Sequence, residues 1–385
     1  MNRIIVIVTL CCAILSCSKM PPAQPPVAKK IKKELTIHDD TRIDNYHWMR
    51  LSDEQKNSEN PDAQTQDVLD YLNAENTYTK SVLNHTETFQ EKLYTEIIGR
   101  IKQTDESVPY KQNGYFYYTR YEEGKEYPVY CRKIESMETT EEVLLNVNEM
   151  AEGHDYYSIR SLRVSKNNQL LAFGVDTLSR RIYTIKIKNL KTGEILTDQI
   201  KGTTGSAAWA NDNETLFYTI RETETLRPYK INRHILGQTT DQDKTMFVEE
   251  DDQFSSWVYK TKSDEFIIIA SAMTESNEYQ ILKADNAKGN FKVFSKRKMK
   301  HEYSIDHYKD TFYIVTNRDK AKNFKLMSTS ENKTDERYWQ NVIEHRDDVY
   351  LNGIEIFKNY LVIQERKNGL LQLRVTTGTK KRTII

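Results

Sequence analysis

The chain has 385 residues, 38% of them hydrophobic and 10% aromatic, enough apolar material for one large or two ordinary folded domains. Its 56 Lys and Arg balance its 56 Asp and Glu, which excludes a general nucleic-acid binder, because such a surface needs net positive charge. Of the four cysteines, Cys11, Cys12 and Cys17 lie in the first 17 residues, so Cys131 stands alone and no internal disulfide is expected.

Residues 1–16 read as a signal peptide: Arg3 supplies the positive end, and residues 4–15 form an apolar core too short for a stable membrane span. The sequence Ala13-Ile14-Leu15-Ser16-Cys17 resembles the lipobox of bacterial lipoproteins. That resemblance implies cleavage before Cys17, lipidation of its sulfur, and an extracytoplasmic, periplasm-facing chain held to a membrane by the lipid. A plain signal peptide is the alternative. Residues 17–34 read as a tether, with Pro21, Pro22, Pro25 and Pro26 favouring an extended form and Lys29, Lys30, Lys32 and Lys33 forming a solvated run. Attraction of that run to anionic lipid heads is secondary.

Residues 35–104 form an N-terminal helical segment. Its first part is turn-rich, with Tyr46, Trp48 and Met49 as buried aromatic and apolar candidates. A helix follows, with Asn60 as its cap and Pro61 at its first position. Val68, Leu69, Leu72, Tyr78, Thr79, Val82 and Leu83 fall on one of its faces. A second helix is predicted over 86–101, with Phe89, Leu93, Ile97, Ile98 and Ile101 on its apolar side. Both helices stand outside the repeat described next, so their apolar faces need a partner surface.

Pro109 disfavours helix in the residue before it, and strands begin there. The run Val164 to Leu196 reads as three consecutive strands separated by polar turns, with residues 182–187 alternating apolar and polar. An apolar strand after a polar turn recurs as GYFYYTR (114–120), LLAFGV (170–175), TLFYTI (215–220), FIIIAS (266–271), TFYIVT (311–316) and YLVIQE (360–365). From Phe116 through Leu171, Phe217, Ile267 and Tyr313 to Val362 the steps are 55, 46, 50, 46 and 49 residues. That spacing, with up to four strands per unit, marks β-propeller blades. There is no Trp-Asp signature and no kelch glycine pair, and a β-sandwich with irregular spacing is the alternative fold. The fold class is therefore mainly β, an incomplete propeller over 105–385 preceded by two helices. Blades are expected at 108–157, 159–200, 205–250, 254–298 and 303–346, with a sixth from Tyr350 that stops inside or just after its third strand.

Catalytic chemistry is sought and not found. No Gly-x-Ser-x-Gly elbow occurs, and Gly202-Thr203-Thr204-Gly205-Ser206-Ala207 has the wrong order, so Ser206 is not assigned as a nucleophile. His301 and His307 are six apart in a strand-like string, not the four a helical zinc motif needs, so both read as blade histidines and no metal is assigned. No glycine-rich phosphate loop occurs, and no cofactor is expected. The acidic run Glu249-Glu250-Asp251-Asp252 lacks calcium-loop spacing and reads as a solvated connection. Cys131 reads as a packed thiol. Ser179-Arg180-Arg181 is placed on the first-to-second strand loop of blade two. Arg180 and Arg181 either meet an acidic group of another domain or a peptide carboxylate, or belong to an ordinary exposed loop.

Ten strings, in order along the chain, resemble oligopeptidase B, a serine peptidase of the prolyl oligopeptidase group: DTRIDNYHWMR (40–50), YLNAENTYT (71–79), EIIGRIKQTDESVPY (96–110), EEGKEYPVYCRK (122–133), LLNVNEMAEGHDYYSI (144–159), FGVDTLSRRIYTI (173–185), GSAAWANDNETLFYT (205–219), TLRPYKINRHILG (225–237), HEYSIDH (301–307) and NFKLM (323–327). The resemblance implies an N-terminal helical segment docked on a C-terminal α/β-hydrolase domain, and a seven-bladed propeller that gates access of short peptides. It also implies cleavage after Lys or Arg by a Ser-Asp-His triad in the hydrolase domain. No position here matches a triad residue. The expectation is thus the N-terminal and propeller part of such an enzyme, with about six of seven blades, inactive alone. Its implied partners are short basic peptides, the hydrolase domain and, through Cys17, a membrane. A stand-alone membrane-tethered propeller that binds a peptide or protein is the alternative.

Overall fold

The computed structural model describes residues 24–377 and 380–384. The expected signal peptide and Cys17 lie outside the described residues. The chain forms two compact units that divide between Lys102 and Gln103, two residues before the expected boundary.

The N-terminal unit opens with a hairpin that the sequence reading missed, β1 (Lys33–Ile37) paired with β2 (Asp40–Asp44). Its two-residue turn, His38-Asp39, takes φ of 54° and 62°, the left-handed pair that matches the twist of a tight hairpin. Residues assigned to the tether are tied to this unit. The Ile31 N–H donates to the Asn45 carbonyl, the Trp48 indole donates to the Lys29 carbonyl at 2.8 Å, and the Lys29 ammonium pairs with Asp67. A short helix, α1 (Asp53–Asn57), is closed by a capping box between Ser52 and Gln55. The long helix α2 (Ala63–Leu83) starts two residues later than expected: Asp62, not Asn60, is the cap, and its carboxylate accepts from the Thr65 N–H at 2.7 Å. Helix α3 (Glu87–Gly99) follows. α2 buries Thr65 and Val68, and Tyr71 meets the half-buried Trp48 edge to face. Tyr46, expected inside, is exposed. Leu69, Leu72, Val82 and Leu83 of α2 and Phe89, Leu93, Tyr94, Ile97 and Ile98 of α3 are all exposed, so the unpartnered apolar faces are real features of both helices.

The second unit is a propeller of six four-stranded antiparallel blades among the described residues. Blade one holds β3 (Tyr110–Gln112), β4 (Tyr115–Arg120), β5 (Val129–Ile134) and β6 (Glu142–Asn146), followed by the one-turn helix α4 (Val147–Met150). Blade two holds β7 (Ser158–Val164), β8 (Leu170–Asp176), β9 (Tyr183–Asn189) and the first half of β10 (Ile195–Trp209). The second half of β10 is the inner strand of blade three, which continues with β11 (Thr215–Arg221), β12 (Pro228–Ile235) and β13 (Lys244–Val248). Gly202 and Gly205, at φ of 71° and 79°, carry the shared strand around this corner, so seven strands form one sheet. Blade four is β14 (Ser255–Lys260), β15 (Phe266–Met273), β16 (Ser276–Lys283) and β17 (Lys292–Ser295). Blade five is β18 (Tyr303–Tyr308), β19 (Thr311–Thr316), β20 (Lys325–Ser330) and β21 (Gln340–Ile343). Blade six is β22 (Val349–Ile356), β23 (Leu361–Lys367), β24 (Leu370–Thr377) and β25 (Lys380–Ile384). The sixth unit therefore carries a fourth strand, paired with β24, where the sequence reading stopped at the third.

The recurring apolar strand is the second of each blade, not the first. It is buried on both faces: Phe266, Ile268 and Ala270 of β15 pack toward blade five, while Ile267 and Ile269 pack toward blade three. Five such inter-blade cores join blades one through six in sequence. On its other face blade one carries, among the described residues, the small cluster Tyr118, Val129 and Cys131, with Met137 against it.

One seam is polar. His234 on β12 is fully buried between two carboxylates, with Nδ1 at 2.7 Å from Asp243 and Nε2 at 3.1 Å from Asp198 of blade two. Tyr218 donates to Asp243 at 2.6 Å, and the Gly237 N–H donates to Asp198 at 2.7 Å. Burial alone disfavours the imidazolium, but the hydrogen bonds to Asp243 and Asp198 outweigh it and raise the histidine above its ordinary value. The same two blades touch backbone to backbone. A methyl added at Gly174 would sit 2.5 Å from the Gly205 Cα, so only glycine fits there.

Candidate functional site

In an antiparallel four-strand blade, the loops after strands one and three lie at one end. The loop after strand two and the link to the next blade lie at the other. The propeller therefore has two chemically distinct mouths.

The first mouth is rimmed by the turns that precede each apolar strand. Asn113, Asn168, Asn213 and Asp264 occupy the same left-handed place in blades one to four, with φ between 47° and 62°. Their side chains and neighbours stitch the rim: Asn113 donates to Asn168 Oδ1 at 3.1 Å, the Asn167 N–H to Asn213 Oδ1 at 2.8 Å, and Asn211 to the Asp264 carbonyl at 3.0 Å. Behind the rim lies a cavity of about 800 Å³ bounded by blades one to four. Tyr110 and Tyr117 line it with stacked rings 5.5 Å apart, and burial raises the phenol of the buried Tyr117. Trp209 lies opposite, its indole N–H held by the Arg163 carbonyl at 2.9 Å. Lys111, Arg163, Lys166, Lys260 and Lys262 line it with one carboxylate, Asp264, so the lining is mostly cationic, although Lys262 also pairs with Glu355. Lys260 is fixed by Asn211 at 2.6 Å and by Asp264 at 3.1 Å.

Cys131 borders the cavity at 1% exposure, and burial pushes its thiol up to about 12. It is a packed, unreactive thiol, as the sequence reading held. Beside it Arg120 binds Glu141, which also accepts from Tyr118 at 2.5 Å. The Arg120 bonds, working against burial, hold the Glu141 carboxyl down at about 2.

The second mouth carries Arg180 and Arg181. Their loop joins β8 to β9, so it is the second-to-third strand loop, because the inner strand β7 precedes the apolar strand from which the sequence reading counted. Asp176 organises the loop by accepting from the Leu178 and Arg181 N–H groups at 2.9 and 2.7 Å. Ser179 and Arg181 take left-handed φ of 58° and 57°. The fold sets Arg181 near Arg221 of β11 and Arg160 of β7, the latter 5.9 Å above the Tyr183 ring. Arg160 and Arg221 carry no sequence signal, because strand pairing alone brings them to the loop. A second basic hollow of about 580 Å³ lies at the link between blades four and five, lined by Lys298, Lys300, Arg318, Lys320 and Lys322 against Asp319 and Glu336.

The remaining candidates resolve into structural roles. Ser206 shares a hydrogen bond with Ser161 at 3.0 Å. His301 binds the Thr316 hydroxyl at 3.0 Å and lies against Tyr303 and Trp339. His307 makes a serine–histidine–carboxylate string, with Nδ1 at 2.9 Å from Ser263 Oγ and Nε2 at 3.6 Å from Glu331. This string does not work as a triad. His307 is sealed between Phe266 and Phe312, and burial drives it down to about 4. The Ser263 hydroxyl is also engaged by Thr261 at 3.0 Å. Among the described residues no three His, Cys, Asp or Glu side chains converge as metal ligands do. The acidic run is not wholly solvated: Glu249 is buried and accepts from Arg297 at 2.6 Å and from Ser271.

Residues 25–385 match the family model of the prolyl oligopeptidase N-terminal beta-propeller domain. The chain is 38% identical over 366 residues to dipeptidyl aminopeptidase BI of Pseudoxanthomonas mexicana, covering 91% of this chain and 49% of that protein. It is 31% identical over 357 residues to protease 2 of Moraxella lacunata, covering 91% and 50%. Among solved structures, oligopeptidase B from Leishmania major superposes with a TM-score of 0.85 at 28% identity, over 94% of this chain and 53% of that one. The chain spans about half the length of the curated relatives it matches. No helix among the described residues is long and apolar enough to cross a membrane. A family model covering nearly the whole sequence, joined to six blades in the oligopeptidase arrangement, places this chain in the prolyl oligopeptidase family as its N-terminal β-propeller domain.

Proposed function

We propose that this chain is the propeller-bearing part of an oligopeptidase B-like serine peptidase. In that reading the ring limits access to short peptides, and an α/β-hydrolase domain supplies the triad that cleaves after Lys or Arg. The observation that carries it is the likeness of the whole described chain to oligopeptidase B. The bare apolar faces of α2 and α3 support it, since soluble monomers avoid such area and a docked domain would cover it. The cationic first mouth supports a gate that excludes: a peptide carrying Lys or Arg is repelled there and must reach a catalytic site by another route. In this reading the chain alone turns over no peptide, since the serine–histidine–carboxylate string at His307 is sealed from any substrate.

The name of the 38%-identical relative, a dipeptidyl aminopeptidase, favours a second reading, release of N-terminal dipeptides by the same architecture. Two measurements test the proposal. Reading the DNA beyond codon 385 should reveal a Gly-x-Ser-x-Gly segment in some frame. Joined to that segment, the enzyme should cleave an N-acetylated Arg ester if it is an endopeptidase, and only free-amine dipeptidyl substrates under the second reading. Turnover of a Lys or Arg ester by the pure 385-residue chain would overturn the assignment of this chain as non-catalytic. Lipidation of Cys17 and a periplasm-facing anchor remain part of the proposal. Cys17→Ala should release the chain from the membrane fraction, and retention of the variant there would refute the anchor.

A further inference from the structure

We propose that Arg160, Arg181 and Arg221 form a binding site for the C-terminal carboxylate of a peptide, at the seam of blades two and three. The three side chains come from three different elements: the inner strand β7, the β8–β9 loop and the end of β11. All three elements reach the second mouth. Arg160 pairs with Gly174 across β7 and β8, which places it above the glycine contact with Gly205. Its guanidinium lies 5.9 Å from the Tyr183 ring centre, so one wall of the site is aromatic. Arg221 donates through Nη1 to the Leu226 carbonyl, while its Nε is buried with no acceptor. A buried guanidinium N–H without a partner is costly, and an incoming carboxylate oxygen would relieve it.

The local carboxylates do not fill this role. Asp176 is buried and spent on the backbone N–H groups of its own loop. Glu222 is bound by Arg227 at 2.6 Å and by Thr225. Positive charge is thus gathered around Arg221: burial first, then repulsion from Arg160 and Arg181, pulls it below the ordinary arginine value. Planar forks favour a carboxylate, which two of them can hold in bidentate fashion. Peptides are the carboxylate source that the proposed peptidase role supplies, and the inference rests on that role.

The test is calorimetric titration of the 385-residue chain with N-acetyl-trialanine as the free acid and as the C-terminal amide. This peptide lacks Lys and Arg and no bond is broken, so the result is independent of cleavage preference and of the hydrolase domain. Failure here would leave the peptidase reading standing, and an absent downstream nucleophile would leave a positive titration standing. The acid should bind saturably and the amide at least tenfold more weakly. Arg160→Ala and Arg181→Ala change exposed side chains, so both should keep the wild-type melting temperature while each weakens the acid by about tenfold, the size of a lost charge-assisted hydrogen bond. Equal binding of acid and amide, no saturable binding of the acid, or unchanged binding by both folded variants would overturn the proposal. So would inorganic phosphate binding more tightly than the peptide acid, which would make the site a phosphate site.

Discussion

Replacing His234 with leucine tests the ionic clamp between blades two and three. The imidazole is wholly buried, and its partners Asp198 and Asp243 keep only 5% and 1% of their side-chain surface exposed. Leucine removes the cation at similar volume and leaves two carboxylates desolvated. Asp243 retains the Tyr218 hydroxyl and Asp198 the Gly237 N–H, so neither is fully orphaned. Breaking a buried pair by removing one partner costs about 3–5 kcal/mol. For a unit spanning Gln103–Ile385 that lowers the melting temperature by about 5–8 °C.

The pH dependence separates this clamp from general packing. His234 is raised in the folded protein above 6.5, so its stabilisation is complete below that pH and is lost as pH rises through the folded value. His301 and His307 are lowered, and in both burial is the leading cause. They act on the other side: stability falls as pH drops below 6.5, for His307 down to about 4. Thermal melts followed by circular dichroism from acid to mildly alkaline pH should show wild-type stability declining above the histidine range and His234→Leu losing that decline while keeping the acid limb. A leucine variant that melts with the wild type, with the same slope above pH 6.5, would refute the clamp.

Three further outcomes follow from packing. Gly174→Ala forces a methyl to 2.5 Å from the Gly205 backbone, which cannot yield like a flexible side chain; an unfolding free energy lowered by about 1–3 kcal/mol in urea titration is expected, and an unchanged midpoint would rule out the close approach. Arg297→Ala strips the buried Glu249 of its cation; because the arginine is itself 30% exposed, a loss of about 1–3 kcal/mol is expected, measured by denaturant titration. The paired substitution Phe89→Ser and Ile97→Ser on the exposed face of α3 should leave the melting temperature of the chain within about 1 °C, because neither side chain is buried, while reducing self-association in sedimentation. A large loss of stability would mean that this face packs within the chain.

Blade rhythm was legible because the second strand of each blade is buried on both faces and reads as an unbroken apolar run, as in Phe266 to Ala270. The inner strands were less so, because they carry exposed or cavity-lining charged residues, such as Arg160 and Arg163 of β7. Counting from the legible strand moved the Arg180–Arg181 loop by one position, although it found the right residues. The hairpin of β1 and β2 escaped because its strands are charged and largely exposed, and because His38-Asp39 fills a turn more strongly signalled by Asn-Gly. The helix start was misplaced for a related reason: Asn60 and Asp62 both suit a cap, and only the backbone shows that Asp62 holds the Thr65 N–H.

The polar sites were illegible because the packing of neighbouring blades, not local sequence, creates them. Asp198, His234 and Asp243 come from the outer strand of one blade, the third strand of the next and the approach to its fourth. Arg160, Arg181 and Arg221 likewise meet only when β10 passes from blade two into blade three. Both clusters therefore sit on the one seam where the blades share a strand and where Gly174 and Gly205 touch. A seam of this kind has little freedom to shear, because the shared strand, the glycine contact and the buried ion triad constrain it together. That rigidity suits a binding site assembled from both sides: the arginines hold their spacing without a ligand, so little conformational entropy is lost when an anion enters. The prediction for His234 and the proposal for the arginines are thus linked by one structural argument. Loosening the clamp should weaken carboxylate binding at Arg221 in a chain that still folds, whereas a carboxylate site independent of the seam would bind the His234→Leu chain as tightly as the wild type.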